Sequence, residues 1–445
     1  MFQNKLFYFL ILMLVMIPSV QGLAATNQST TSLTLNNPDA LTLEQCLELA
    51  YGNNKTLQKD QENVIVAQDG VRQAIGGFFP TLGYTASSNN SDKKKQTINY
   101  DTSESAKEYY AGNLNANLPL DITGKLTANL KIARYKLAYV QESIRKDKQT
   151  LTYEVKNDYY QVWLAEKQLE IEQASYDDMD QHFQQIQGFY KAGVKSKYEL
   201  YLAQVQRDIL KPKVLNAQST LIIYKLQLAT RIGISKNREF MVEYDPSKLN
   251  LPDGVNLTLD DLMASAYQNR PEIHQYHLNT EMSTAQTKID AASGKPNLTL
   301  TASYNEYSAE SEPGTYYPYW LWSLSLSGNI FDGGVVHSKV MQDKETQKLN
   351  VISEADLHDQ IQLTLNQALQ KLNNSIESIQ ASKSSMDMAQ ETLQMTKARY
   401  NNGMATTMDI IDAENALDTN LDSYYQGVVE YLLALANLDL ETGKD

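Results

Sequence analysis

The sequence predicts an α+β membrane protein in which long antiparallel helical hairpins are joined to short transmembrane β-strands, in two internal repeats. Three observations predict this fold: apolar residues recur every seven positions in two long stretches, polar and apolar residues alternate between the helical stretches, and the whole pattern occurs twice. A period of seven is typical of helices packed side by side, and a period of two is typical of a strand with two different faces.

Composition excludes several classes of protein. The chain has 445 residues, of which 42% are hydrophobic and 21% are charged, and its mean hydropathy is -0.44. These values differ from those of a helical membrane protein or a disordered acidic chain. The net charge of -14 argues against a nucleic-acid partner, which binds a basic patch. The single cysteine, Cys46, excludes an intrachain disulfide and a cysteine-rich zinc site, and its apolar neighbours predict that it is buried.

Residues 1–25 have the order of a secretory signal peptide. Lys5 precedes an apolar stretch from Leu6 to Val20, and small residues then predict cleavage near residues 22–25. The mature chain is therefore expected to be exported, with residues 26–41 as an N-terminal extension. An uncleaved anchor is the alternative, although the apolar stretch is short for a membrane-spanning helix.

The remaining chain contains two internal repeats. Thr42-Leu43-Glu44 is echoed by Thr258-Leu259-Asp260, and the turn that follows Tyr190 is echoed after Tyr400. The sequence therefore predicts a first repeat at residues 42–233 and a second at residues 258–445. Between them, residues 234–257 contain two prolines and a glycine without periodicity, which is typical of a linker.

Each repeat is expected to contain one very long helix that folds back as a hairpin. No proline occurs from Thr123 to Tyr190 or from Gly334 to Tyr400, and a helix of that length would measure about 100 Å. Gly193 and Gly403 are expected to end these helices, and Pro212 is expected to kink the first returning helix. The apolar positions seven apart are Val155, Val162, Leu169, Tyr176, Phe183 and Tyr190 in the first repeat, and Leu365, Leu372, Ile379, Met386, Leu393 and Tyr400 in the second.

Four strands are predicted, at about residues 81–90, 109–120, 297–305 and 319–331. Leu298, Leu300 and Ala302, for example, alternate with small polar residues. A soluble sandwich would show the same alternation, but uncharged polar faces and strands of about ten residues favour a membrane barrel. Aromatic residues near the strand ends are expected to form an interfacial girdle: Tyr109, Tyr110, Tyr316, Tyr317, Tyr319, Trp320 and Trp322.

Four strands cannot close a barrel, and an open sheet edge cannot face lipid. Closure therefore requires several chains. Two copies would give an eight-stranded barrel filled by its own side chains, whereas three copies would give 12 strands around a lumen. The expected assembly is a homotrimer.

Several motifs together resemble the TolC-type outer-membrane efflux protein family over essentially the whole mature chain. They are Thr42-Leu43-Glu44 with Ala50 and Asn53, the echo from Thr258 to Asn269, Phe331-Asp332-Gly333-Gly334, and Tyr400-x-x-Gly403 followed by Asp409-x-x-Asp412-Ala413. The resemblance implies a trimer whose 12-stranded barrel in outer-membrane lipid continues into a helical tunnel across the periplasm. It also implies an exit duct for a tripartite efflux pump or a type I secretion system, with no enzymatic activity and no cofactor. The implied partners are a periplasmic adaptor (membrane fusion protein) and an inner-membrane RND or ABC transporter.

The resemblance also implies roles for the hairpin turns. Two groups of residues match the turns at which the family docks its adaptor: Gly193, Val194, Lys195 and Ser196, and Gly403, Met404, Ala405 and Thr406. Asp409 and Asp412 lie three apart on one helical face, so a trimer would place six carboxylates around the narrow end and favour cations. The alternative is an ordinary solvated acidic face.

Tyr400 matches a tyrosine that the family uses to hold the tunnel closed. The family's best-known gate has an arginine where this chain has Ala405 and an aspartate where it has Glu199. An ionic lock through Ala405 cannot form, and gating is expected to rest on contacts of Tyr400, Tyr198 and Thr406.

Two other functions fit parts of the sequence. A periplasm-spanning coiled-coil tether that conducts nothing is the first, although a tether needs no strands with uncharged polar faces. A metal-dependent periplasmic enzyme is the second, because His274 and His277 lie three apart on a predicted helix. No acidic or sulfur ligand is evident beside them, so surface histidines are the simpler interpretation and no metal is expected.

Overall fold

The computed structural model describes residues 40–90, 108–235, 240–246, 257–309 and 317–444. The chain divides into two compact units, Met1–Ala40 and Leu41–Asp445, and only Ala40 of the first is described. Among the described helices, none is both long enough and apolar enough to cross a membrane.

Eight described helices form two similar sets of four. The first set is α1 (Leu43–Asn53), α2 (Lys55–Gly76), α3 (Lys125–Lys191) and α4 (Lys197–Ile232). The second set is α5 (Leu259–Asn269), α6 (Pro271–Ala292), α7 (Val335–Asn401) and α8 (Thr407–Glu441). The prediction of one very long helix in each half is confirmed, since α3 and α7 both have 67 residues.

Both long helices begin at a left-handed glycine that follows an aspartate. Gly124 and Gly334 have positive φ angles of 76° and 82°. The carboxylate of Asp121 accepts the backbone N–H groups of Leu126 and Thr127, at 3.1 and 2.9 Å. Asp332 accepts those of Gly334 and Val336, at 2.9 and 2.8 Å. These bonds satisfy amide groups that a helix start otherwise leaves free.

Pro212 lies inside α4, and the helix continues on both sides of it. Helices commonly end or bend at an internal proline, because the ring removes one hydrogen bond. Here α4 packs along α3 over its length, so tertiary contacts hold the helix together.

Six strands are described, two of them very short. The short strands, β1 (Ala40–Leu41) and β4 (Met241–Val242), pair with each other, and β4 contacts α3. The long strands are β2 (Thr81–Asn90), β3 (Glu108–Leu120), β5 (Asn297–Ala309) and β6 (Tyr317–Ser327). They form one antiparallel sheet with the order β2-β3-β5-β6. Strand β5 extends to Ala309, beyond its predicted end at residue 305. Strand β6 ends at Ser327 and not at residue 331. At the next residue, Gly328, a side-chain Cβ would lie 3.0 Å from the Pro296 backbone.

The register of the sheet places most apolar side chains on one face and most uncharged polar side chains on the other. Leu298 pairs with Leu326 and Leu300 with Leu324 on one face, while Thr299 pairs with Ser325 on the other. The same parity continues into β3 and β2, where Leu82 pairs with Ala116. The sheet therefore has one apolar face and one uncharged polar face, as the alternation predicted.

The helices lie side by side in the same order as the strands that they adjoin in the chain. Helix α3 packs against α2 and α6 in the half near the sheet and against α4 and α8 in the other half, and α7 packs against α6 and α8. The helices thus form one layer, with α2 and α4 at one edge and α7 at the other. Strands β2 and β6 are the corresponding edges of the sheet.

The core consists of narrow seams between helices. In one of them, Ile361, Leu365, Ala368 and Leu372 of α7 pack with Tyr431, Ala434 and Leu438 of α8. Small residues at alternate seam positions allow close approach of the helices. Cys46 is fully buried, as predicted, and burial raises the pKa of its thiol to about 12. In the described residues, a layer built on such seams has two large faces, each available to solvent or to another chain.

Corresponding glycines end the returning helices in both halves. Gly233 and Gly443 have left-handed φ angles of 72°. A Cβ on Gly233 would overlap the Asn53 side chain, and one on Gly443 would lie 2.7 Å from the Asn269 backbone. The two short helices α1 and α5 therefore press on the ends of α4 and α8 in the same way.

Candidate functional site

Two hairpin turns form the end of the molecule that is farthest from the sheet. The first tip is Ala192–Ser196, between α3 and α4, and the second tip is Asn402–Thr406, between α7 and α8. Gly193 and Gly403 have φ angles of 75° and 73°. The amide after each glycine bonds back into the preceding helix: Val194 to the Phe189 carbonyl at 2.9 Å and Met404 to the Arg399 carbonyl at 2.8 Å. The turns are helix stops of the left-handed type, as predicted.

A capping box starts the helix after each tip. The Ser196 hydroxyl accepts the amide of Glu199 at 3.3 Å, and the Glu199 carboxylate accepts the amide of Ser196 at 2.9 Å. Thr406 and Asp409 repeat this exchange at 3.2 and 2.6 Å. The spacing Ser-x-x-Glu or Thr-x-x-Asp marks such boxes in a sequence. Both spacings occur in this chain, so the two boxes could have been predicted from the sequence.

Hydrogen bonds set the charge state of both capping carboxylates. The Thr406 backbone and hydroxyl donors hold the pKa of Asp409 below its usual value. Lys195, whose ammonium lies 2.7 Å from Glu199, lowers the pKa of Glu199, with help from the Ser196 amide. Ala405 of the second tip has no such ammonium. Both carboxylates therefore stay ionised at neutral pH, and only the first tip carries an ion pair.

Apolar side chains project from both tips. Val194 is 69% exposed, Met404 63% and Tyr198 74%. Exposed apolar groups around a tight turn are suited to contact with another protein. Of the predicted gating group, Tyr198 is thus free in the single chain, and the Thr406 hydroxyl is used in the cap.

Asp409 and Asp412 are exposed on α8, and the adjacent Ile410 and Ala413 are buried. The exposed side continues through uncharged polar residues, Thr419, Ser423 and Gln426. The two carboxylates therefore lie at the tip end of a polar stripe on α8.

Tyr400 contacts the first hairpin through an edge-to-face stack. Its ring centroid lies 5.7 Å from that of His182 on α3. The imidazole Nε2 is buried without a hydrogen-bond partner. Burial, followed by the nearby Lys195, lowers the pKa of His182. No pattern in the sequence pointed to His182.

A lysine one turn earlier joins three helices. The Lys397 ammonium of α7 lies 2.9 Å from Asp178 on α3 and 3.3 Å from Glu414 on α8. Glu414 is only 9% exposed, and burial raises the pKa of its carboxyl although Lys397 opposes the shift. Sequence reasoning missed this site, because Asp178 and Lys397 are far apart in the chain and belong to no motif.

Aromatic side chains form a belt across the apolar face of the sheet. The register aligns Tyr84, Leu114, Tyr304 and Trp320 in one row over all four strands. Of the predicted girdle, Trp320 and Trp322 lie on this face, and Tyr319 pairs with Asn305 on the polar face. Tyr316 lies outside the described residues, as do the side chains of Tyr109, Tyr110 and Tyr317. Tyr84 and Tyr304 were missed, because their faces depend on the register.

Amide and hydroxyl groups bond across the polar face. The Asn113 amide donates to Asn305 at 2.6 Å, and the Thr301 hydroxyl donates to Asn117 at 2.9 Å. These bonds tie β3 to β5 without using a charge. Such a face is suited to line a water-filled space.

The predicted histidine pair does not extend into a larger cluster. His274 Nε2 lies 3.2 Å from the Gln268 carbonyl oxygen. Within the described ranges, no group of three or more His, Cys, Asp or Glu side chains could hold a metal ion.

Comparison with known families and proteins gives consistent matches. A family model described as "Outer membrane efflux protein" matches residues 46–233 and 262–444. Nodulation protein T of Rhizobium leguminosarum bv. trifolii is 24% identical over 413 residues, which are 90% of this chain and 85% of that protein. Outer membrane protein TolC of Escherichia coli is 23% identical over 96% of this chain and 86% of its own length. Alkaline protease secretion protein AprF of Pseudomonas aeruginosa is 22% identical over 68% of this chain and 63% of its own length.

A solved structure has the same fold. The structure of CusC superposes with a TM-score of 0.78 and 18% identity, covering 91% of this chain and 92% of that chain. At this level of identity the likeness concerns the fold.

Proposed function

Since the chain belongs to the outer membrane efflux protein family, we propose that three copies form the exit channel of a tripartite efflux pump or a type I secretion system. The proposed channel consists of a 12-stranded barrel in the outer membrane and a helical tunnel in the periplasm. A periplasmic adaptor would dock at the two tips, and an inner-membrane RND or ABC transporter would supply the energy. The relative AprF, named as a secretion protein, and CusC, described as forming a transmembrane channel, support this proposal.

The single observation that carries the proposal is that the described sheet and the layer of helices each have two unpaired edges. Strands β2 and β6 end the described sheet, and α2, α4 and α7 end the layer of helices on the same two sides. Because the two edges differ, an edge of one copy pairs with the opposite edge of the next, and this head-to-tail contact closes as a ring. Three copies leave no sheet edge exposed to lipid and enclose the polar face.

The helices at the two edges of the layer, α4 and α7, carry rows of exposed apolar side chains at corresponding levels along the helices. On α4, Val205, Ile209 and Ile223 are exposed, opposite the side that packs on α3. On α7, Leu363, Met388 and Met395 are exposed, opposite the seam with α8. Arg207 of α4 contacts Asp180 of α3 at 3.3 Å, and the counterpart of Asp180 in the second half is Gln390. Val205 and Ile209 of one copy therefore lie level with Met388 and Met395 of the next.

The domain organisation follows from the same proposal. Residues 42–233 and 258–445 each supply two strands and one long hairpin, residues 234–257 link them, and residues 1–25 direct export. The corresponding glycines at helix ends support two repeats. In a trimer, Asp409 and Asp412 would place six carboxylates around the tunnel mouth. Their exposure on a polar stripe supports this ring.

An experiment on the edge rows tests the assembly. The variant Val205→Asp with Ile209→Asp should lose the trimer in native mass measurements in detergent, because it buries two unpaired charges in each contact. The matched control is Leu215→Asp, which changes an exposed apolar residue of the same helix outside the row. A monomeric or dimeric unmodified protein, or an intact trimer in the double variant, would contradict the proposal.

Planar lipid bilayers test conduction by the assembled protein. Discrete cation-preferring conductance is expected from the trimer under conditions that open the tunnel. A stable trimer without conductance would instead indicate the envelope tether.

A further inference from the structure

A polar groove lies where the middle of α7 meets α8. Its volume is about 690 Å³, which is within the range of sites that hold small ligands. Seven of its described lining residues belong to α7 and one, Glu430, belongs to α8. They supply four side-chain amides, two hydroxyls, one ammonium and one carboxylate. We call this site the amide groove, after its amides Asn366, Gln367, Gln370 and Asn374.

Glu430 places the amide groove on the polar stripe of α8. It lies 21 residues after Asp409, which is three periods of seven, and the exposed polar residues of the stripe lie between the two. The groove is therefore about 30 Å from Asp409 along the helix. In the proposed channel this stripe lines the tunnel, so cargo that enters between the tips passes the amide groove.

The polar side chains of the amide groove are available to a ligand. Within the described ranges, the side chains of the four amides, Lys371 and Glu430 make no hydrogen bond or ion pair. Ser375 differs, because its hydroxyl donates to the Leu372 carbonyl at 2.7 Å. A ligand that binds the amides therefore replaces water and breaks no contact within the protein.

The spacing of the amides fits an extended polypeptide. Each side-chain amide has a carbonyl acceptor and an N–H donor, which complement the N–H and the carbonyl of a peptide unit. Asn366, Gln370 and Asn374 are four residues apart, so they follow one another along one side of α7 at intervals of about 6 Å. Alternate residues of an extended chain repeat at about 7 Å. Successive amides of this row can therefore bond to alternate peptide units of one strand.

Two opposite charges complete the amide groove. In the part of the chain that the structure describes, the Lys371 ammonium and the Glu430 carboxylate do not pair with each other. A peptide with free ends carries one charge of each sign, so it complements both groups. Sites for apolar compounds are lined mostly by apolar and aromatic side chains, and none of the described lining residues is of either kind. The chemistry of the groove therefore favours a peptide over an apolar compound.

From these observations we propose that the amide groove is a binding site for extended peptides. Asn366, Gln370 and Asn374 bond to the peptide backbone, while Lys371 and Glu430 attract the carboxylate and the ammonium of the ligand. The inference rests on the proposed channel function, and it names short peptides as a class of cargo. Hydrogen bonds to groups that water also reaches contribute little net free energy, so binding is weak and the cargo can leave.

Ligand-observed NMR on detergent-solubilised trimers tests the binding. Saturation transfer to tetraglycine is expected, whereas maltotriose, which has no peptide group and no charge, should show none. Gln370→Ala with Asn374→Ala should raise the Kd of tetraglycine about tenfold, because two hydrogen bonds are lost. The matched control, Gln342→Ala with Gln394→Ala, removes two exposed amides of α7 outside the groove. Alanine has a higher helix propensity than either amide, so both variants should fold.

A charge variant separates the two kinds of contact. Lys371→Gln should weaken the binding of tetraglycine and leave that of N-acetylated, C-amidated tetraglycine unchanged, because the capped peptide has no charge. Unchanged tetraglycine binding in Gln370→Ala with Asn374→Ala, an equal loss in the matched control, or equal binding of maltotriose would overturn the proposal. Trimers that bind no tetraglycine would overturn it as well.

Conductance in planar bilayers separates this inference from the proposed function. Tetraglycine should reduce the current through the unmodified channel, and Gln370→Ala with Asn374→Ala should relieve the reduction. Tetraglycine binding that depends on the amides, in trimers without conductance, would contradict the channel and keep the peptide site. Conducting trimers that bind no tetraglycine would contradict the peptide site and keep the channel.

Discussion

At the scale of single residues, carboxylates at the tips both cap a helix and carry a negative charge. Asp409 and Glu199 each close a capping box that starts a helix, and each has a pKa below its usual value. Asp412, one turn further, makes no cap and is exposed. A change at Asp409 therefore affects both charge and helix stability, and experiments on the acidic ring need to separate the two.

Amide substitutions make that separation. Asp409→Asn with Asp412→Asn removes both charges, while the side-chain amide oxygen introduced at the first position can still accept the Thr406 amide. Block of the channel by multivalent cations should weaken markedly, measured as the blocking concentration in planar bilayers, because six carboxylates no longer attract the blocker. Glu62→Gln with Asp69→Asn removes two charges from α2 as a control. Equal block in the tip variant and the unmodified protein would refute the ring.

The buried imidazole predicts a pH dependence of the contact between His182 and Tyr400. Burial and Lys195 lower the pKa of His182 from its ordinary value of 6.5 in the packed arrangement. The neutral imidazole therefore stabilises the contact above pH 6.5, and this stability is lost as the pH falls through that value towards the lowered pKa. Glu414 acts in the opposite direction, because its pKa is raised, so a falling pH favours its packed form.

Substitution of Glu414 isolates the contribution of His182 to the pH dependence. In Glu414→Gln protein, lowering the pH from above 6.5 through the lowered pKa of His182 should broaden the distance between spin labels on Lys191→Cys and Asn401→Cys, because the imidazole that packs on Tyr400 then gains charge. With His182→Gln added, the distances should no longer respond over this range. A response that survives the second substitution would mean that another group titrates.

At the scale of elements, both halves use glycine at matched helix ends, but the surroundings of these glycines differ. Gly403 and Gly443 have φ angles of 73° and 72°. Nothing lies within 4 Å of a Cβ on Gly403, whereas a Cβ on Gly443 would meet the backbone of Asn269 and Arg270 at 2.7 to 2.8 Å. The same conformation is thus a helix stop at the tip and a packing requirement at the end of α8.

This difference predicts unequal effects of alanine. Gly403→Ala should cost about 1–2 kcal/mol, from the left-handed conformation alone. Gly443→Ala should cost clearly more, because α5 cannot move away from α8 without losing the seam of Leu262 and Ala266. Chemical unfolding followed by circular dichroism would measure both. A smaller loss at Gly443 than at Gly403 would contradict the packing argument.

At the scale of the whole molecule, the proposed barrel would give the two faces of the sheet different surroundings. Leu324 and Ser325 are neighbours on β6, but Leu324 pairs with Leu300 on the apolar face and Ser325 with Thr299 on the polar face. Both are exposed in the single chain. In a closed barrel, one face would meet lipid and the other would meet water.

Arginine at these two positions should therefore have different effects. Leu324→Arg should destabilise the folded protein in lipid by about 2–4 kcal/mol, because it places a charge in the hydrocarbon layer. Ser325→Arg should leave stability nearly unchanged and reduce the preference for cations in conductance. Refolding into vesicles under urea would measure the first effect and planar bilayers the second. Similar stability losses at both positions would contradict the assigned faces.

Much of this fold is local in origin, and the sequence predicted it for that reason. The seven-residue period and the absence of proline predicted α3 and α7, the glycines predicted their ends, and the alternation predicted four strands with one polar face. The tip residues could be placed by the same local signals. These features depend on neighbours within a few turns, so they are visible in a single sequence.

The sequence by itself thus determined the elements, their faces and the positions of the tips. Only the tertiary structure decided which strands lie at the edges, that Tyr84 and Tyr304 join Trp320 in one belt, and that Lys397 meets Asp178 and Glu414. Each of these depends on strand register or on the rotation of one helix against another. Such features arise from contacts between residues far apart in the chain, and no local period encodes them.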